Sequence, residues 1–169
     1  MVRNILGVVV GYVAIFAFIF LTFTILYLTL GENNSFEPET FDVSLLWIIL
    51  SFILGLIAAI LGGYICVLIA KDQKPAMVLA GFVLVLGIAM SIPALSISNE
   101  EVQEIRKANV PNMEAMQKAK QPIFLLLLNP LVGALGVLAG ARFRKENIWF
   151  VLLTKIILYN LKTTLTLSI

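Results

Sequence analysis

Few residues inside the apolar part of this chain are able to do chemistry. Ser91 and Pro93 lie near the end of one apolar stretch, Asn129-Pro130 interrupts another, and Cys66 is the only cysteine. Histidine is absent, which removes imidazole acid–base catalysis, histidine metal ligation and a histidine pH switch. A single cysteine excludes an intramolecular disulfide and any cysteine-pair redox or metal motif. Pro130 lacks a backbone N–H and frees a carbonyl one turn earlier, so Ser91, Pro93, Asn129 and Pro130 are candidates for the wall of a cavity. The competing reading is two tolerated proline positions whose freed carbonyls are satisfied by neighbouring side chains. The sequence holds no phosphate-binding glycine loop, metal-ligand cluster or nucleophile motif. It therefore predicts a non-enzymatic protein with no cofactor.

The elements that must position these residues follow from composition. The chain has 169 residues, 60% hydrophobic and 13% charged, with a mean hydropathy of +1.01. Soluble domains are about a quarter charged, so lipid is the solvent this chain is built for. Four uncharged stretches are long enough to cross a hydrocarbon core of roughly 30 Å. They cover residues 5–30, 43–70, 75–97 and 122–141. The expected fold is an all-α integral membrane four-helix bundle spanning residues 1–145. A hydrophobic tail, residues 146–169, follows as an amphipathic or fifth helix. Its Lys155 and Lys162 fall on one helical face, and roughly 2.5–3.5 kcal/mol for each lysine near a membrane centre favours the interfacial placement.

Charge sets the expected orientation. Arg3, Lys71, Lys74, Arg142, Arg144, Lys145 and the two tail lysines fall on one side of the four spans, with Asp72 and Glu146. The other side has four bases and eight acids, among them Glu32, Glu37, Glu39 and Asp42. Retained loops favour Lys and Arg, so the N-terminus and residues 142–145 are expected on the cytoplasmic face of the cell membrane. Lys71, Lys74, Arg142, Arg144 and Lys145 are candidate contacts for anionic lipid headgroups. A net charge of only +2 argues against nucleic acid as a partner.

Inside the spans there is no Asp, Glu, Lys or Arg, which weakens any proton- or cation-coupled transport mechanism. Small residues instead recur at four-residue spacing: Gly7 and Gly11, then Gly55, Ala59 and Gly63, then Gly136 and Gly140. Positions i and i+4 share a helix face, so these are candidate helix-packing faces. They serve either within one bundle or, at Gly7/Gly11, between two copies. In the first span Gly7, Gly11 and Ala14 cluster on one side, with Thr22 and Thr29 continuing it. Tyr12, Phe16, Phe20, Phe23 and Tyr27 fall opposite, and are expected to face lipid. A weak duplication matches Gly11-Tyr12-Val13 with Gly81-Phe82-Val83.

Residues 99–121 form the one substantial polar segment. A Ser98–Glu101 capping box opens a first amphipathic piece, and Asn112 is expected to cap a second after Pro111. Both are expected to lie over the outer mouth of the bundle. Two functions remain in view. One is a packing protein acting as an oligomer or as an accessory subunit of another membrane protein. The other is a transporter or channel for a neutral or lipidic solute.

Overall fold

The computed structural model describes residues 1–97 and 110–144, with the side chains of 93–97 outside that description. The expected Ser98–Glu101 capping box, Lys145 and the tail 146–169 lie outside the described residues. Among those described the chain is all-α, and four helices are long and apolar enough to cross a membrane.

The first, α1 (Val2–Leu30), stops where Gly31 adopts a φ of 70° and returns its N–H to the Tyr27 carbonyl at 2.9 Å. A short α2 (Glu32–Ser35) leads into a reversal in which Phe36 bridges Val43 antiparallel. Ser44 caps α3 (Leu45–Ala70), its hydroxyl accepting the Trp47 N–H at 3.2 Å; this cap starts the helix two residues later than the apolar stretch implies. Lys71 ends α3 in the left-handed region at φ 58°. The chain turns within three residues into α4 (Lys74–Ile97). After the polar segment, α5 (Asn112–Lys118) precedes α6, described over Ile123–Arg144.

The four long helices form a ring in the order α1, α3, α6, α4. A Cβ at Gly7 would lie 2.8 Å from the Cys66 carbonyl oxygen of α3, and one at Gly11 would lie 2.9 Å from both the Gly62 carbonyl and Leu79 of α4. Gly62 in turn receives the Ile15 side chain. On the far side, a Cβ at Gly63 would overlap the Val137 carbonyl of α6, and one at Gly140 would overlap the Ile60 carbonyl of α3. A Cβ at Gly136 would lie 2.8 Å from Ala59 Cβ. Around these contacts Ala58, Cys66, Leu79 and Val137 are fully buried. The duplicated positions Tyr12 and Phe82 meet edge to face at 5.2 Å.

One end of the ring, here the turn end, carries the 71–73 turn. There the Arg3 guanidinium donates from Nε to the Ala70 carbonyl at 3.1 Å, placing positive charge on the last carbonyls of α3. The opposite, cap end is closed by a second cluster of Tyr27, Phe36, Val43, Trp47 and Ala115. Lys120 joins it by exchanging hydrogen bonds with Phe41 and Val43. Val110 is held from both sides: the Tyr27 hydroxyl donates to its carbonyl at 2.8 Å, and Glu32 accepts its N–H at 3.0 Å.

Two sequence expectations need correction. The aromatic residues of α1 do not all face lipid. Phe16 and Phe20 are exposed, but Tyr27 is buried and Phe23 packs edge to face on Trp47 at 5.9 Å. The seam with α3 runs Gly7, Gly11, Ile15, Ile19, Phe23, Tyr27. Steps of four residues advance about 40° each around a helix, so a seam that follows this ridge winds toward the aromatic side. Asn112, expected as a cap, is instead the first residue of α5; its side chain donates to Thr24 Oγ1 at 3.3 Å, and Pro111 holds the cap position.

Candidate functional site

Toward the turn end α3 touches α1 and α6 backbone to backbone, and toward the cap end the helices separate. The space between them is a cavity of about 350 Å³. Its walls are Ile15, Ile19 and Phe23 of α1, Ser51 to Ala59 of α3, Val83 to Ser91 of α4 and Leu126 to Gly133 of α6, with Gln121 at its edge. Along each helix the lining extends over about eight residues, so the cavity is about 12 Å long. It ends at Ala59 and Gly133, next to the level at which α3 and α6 come into backbone contact.

Gly55 is the residue that leaves the space open. The sequence groups it with Ala59 and Gly63 as a packing face, yet a Cβ at Gly55 would meet nothing within 4 Å, and Gly55 lines the cavity instead. A helix face is shared by positions four apart, but a partner backbone crosses it only locally. Gly63 and Ala59 lie at that crossing and Gly55 lies beyond it. Gly7 and Gly11 are filled by α3 of the same chain, which leaves no open seam at that position for a second copy.

Of the four cavity candidates from sequence, Ser91, Asn129 and Pro130 all line this space. Pro93 lies on α4, its side chain outside the description. Pro130 cannot donate to the Leu126 carbonyl, and the buried Ser91 hydroxyl lies 2.7 Å from that oxygen and 2.8 Å from the Gly87 carbonyl. The hydroxyl thus supplies across the helix pair the hydrogen bond that proline removes from α6. Gly87 admits the proline ring, since a Cβ there would lie 2.7 Å from Pro130 Cβ and Cγ. Cavity wall and satisfied proline are therefore the same set of atoms.

The remaining polar lining is sparse and uncharged. Ser51 donates to the Ile48 carbonyl at 3.1 Å. Asn129 Nδ2 reaches Gln121 Oε1 at 3.4 Å, a long contact. Gln121, within the segment read from sequence as an outer covering, was missed as a wall residue; its only signal was an amide placed immediately before Pro122 and the last span. Among the described residues no Asp, Glu, Lys or Arg lines the cavity, and no cluster of metal-ligating side chains occurs.

The basic candidates gather at the other end: Lys71, Lys74 and Arg142 are exposed around the turn, and Arg144 is half-buried. Glu37, Glu39 and Asp42 are exposed at the cap end. Comparison with protein-family models, curated proteins and solved structures finds no match to this chain. What fold and site establish together, among the described residues, is an all-α chain whose four apolar helices are compatible with a multi-pass membrane protein and border a cavity with no charged lining.

Proposed function

We propose that this chain is a non-enzymatic four-span protein of the cell membrane that binds a neutral lipidic solute within the bilayer. The observation that carries this reading is the cavity between the helices, which no charged side chain lines among the described residues. Its volume of about 350 Å³ falls at the lower end of the roughly 300–1,000 Å³ of small-molecule sites. Apolar walls with a few uncharged polar atoms suit a hydrophobic solute and penalise an ionic one. The glycine faces at Gly7, Gly11, Gly63, Gly136 and Gly140 are consumed within one chain, which lowers the weight of oligomerisation as the function. The opposed charge of the two ends supports an orientation with the turn end, and with it Arg3 and Arg142, at the cytoplasmic face. The cavity then opens into the outer half of the membrane, and the backbone contacts below it argue against a through-going channel.

Gly55→Leu is the test, because its side chain enters the cavity without meeting another atom at Cβ. The wild-type protein, purified from its native membrane and extracted for lipid mass spectrometry, should carry a neutral component. In Gly55→Leu that component should fall at least tenfold while the protein elutes unchanged. Equal amounts of every lipid in the two preparations would sink the proposal.

A further inference from the structure

The cavity has a polar pole, and its chemistry narrows what the solute is. Asn129 lies six residues into α6, about 9 Å from its cap-end start. Its neighbours are Leu127, Leu128 and Leu131, a setting in which an amide without partners is costly. Asn129 is exposed and lines the cavity, and its one hydrogen bond among the described residues is the 3.4 Å contact with Gln121. Two primary amides offer four N–H donors and two carbonyl acceptors. One bond between them leaves three donors and one carbonyl unengaged, whichever way the amides are turned. The two serines of the wall add no donor, because their protons serve the carbonyls of Ile48 and of Leu126 or Gly87.

Resting on the function proposed above, we infer that Gln121 and Asn129 bind the head of a single-chain amphiphile whose head is uncharged and carries both hydroxyl and ester oxygens, as in a monoacylglycerol. An ester carbonyl accepts from the amide N–H groups, and a hydroxyl donates to the remaining amide carbonyl. A carboxylate, phosphate or ammonium head finds no counter-charge among the described residues of the wall and loses hydration there. Below the amides the lining is apolar, with Val83, Gly55 and Gly133 leaving room along the axis. A volume of 350 Å³ is that of roughly a dozen methylene groups, which one medium-length hydrocarbon chain fills.

The experiment is native mass spectrometry of the full chain released from micelles, titrated separately with 1-monooctanoylglycerol, octanoate and 1-octene, whose eight-carbon chains match a cavity about 12 Å long. The wild-type protein should take up one monooctanoylglycerol, at least tenfold more tightly than octanoate or octene. Asn129→Leu and Gln121→Leu should each lose the preference over octene while still binding octene, which also shows that the cavity has folded. Gly55→Leu should bind none of the three. Unchanged head preference in both amide variants, or equal wild-type affinity for the three probes, overturns this inference and leaves the hydrophobic cavity standing. Identical binding to wild type and Gly55→Leu, or no uptake of any probe, overturns both.

Discussion

Gly63 and Gly55 stand eight residues apart on one helix and do opposite things. At Gly63 the α6 backbone sits where a side chain would begin, and at Gly55 there is open space. The first belongs to the half of the bundle where α3 and α6 are in backbone contact, the second to the half where they part around a cavity. Helix association in a membrane gains little from burying apolar surface, since lipid is equally apolar, and depends on close packing and interhelical hydrogen bonds. The turn-end half uses packing through glycine. The cap-end half uses a hydrogen bond, Ser91 to Leu126, together with the aromatic cluster around Trp47 and Tyr27. Tight contact and a binding space therefore coexist because different interactions hold the two halves.

That contrast breaks first at the glycines. Gly63→Leu and Gly140→Leu should each cost more than about 3 kcal/mol, since the atoms in the way are backbone and cannot rotate aside. Gly55→Leu should cost less than about 1 kcal/mol. Reversible unfolding in mixed detergent micelles measures all three, and a Gly55 variant as damaging as the Gly63 variant would erase the distinction between the halves. Smaller, and specific to the cap-end half, is Ser91→Ala. Loss of the side-chain donor to the Leu126 carbonyl should cost about 1–2 kcal/mol. Adding Pro130→Ala should recover most of it, because α6 then supplies its own N–H to that carbonyl; strictly additive effects in the double variant would show that the two residues are not coupled. The smallest effect has the opposite sign. Gly55→Ala should stabilise the protein by about 0.5–1 kcal/mol through helix propensity alone, whereas Gly63→Ala should destabilise it.

The spans were legible in the sequence because length and absence of charge decide them. The third, expected over 75–97, runs Lys74–Ile97, and the fourth, expected over 122–141, begins at Ile123. Which glycines touch a neighbour was not legible. Gly55, Ala59 and Gly63 share one spacing, and only the position of the α6 crossing separates them. The same limit misplaced Phe23 and Tyr27, since a straight stripe and a winding ridge both fit the first half of α1. Ser91 and Pro130 stood out in the sequence as local irregularities, each on its own helix. That one completes the other's hydrogen bond depends on α4 and α6 being neighbours, a fact with no local signature.

The contact at Gly63 also has a consequence in time. Its partner, Val137, lies 74 residues further along the chain. At about 5–20 residues per second of synthesis, α3 waits roughly 4–15 s before the backbone that fills its glycine face has been made. In that interval α1 and α3 can pair through Gly7, Gly11 and Gly62, while the opposite side of α3 is covered only by lipid. The backbone contact of α3 with α6 is thus made late, and a nascent chain stalled before α6 presents an open small-residue face to whatever shares its membrane.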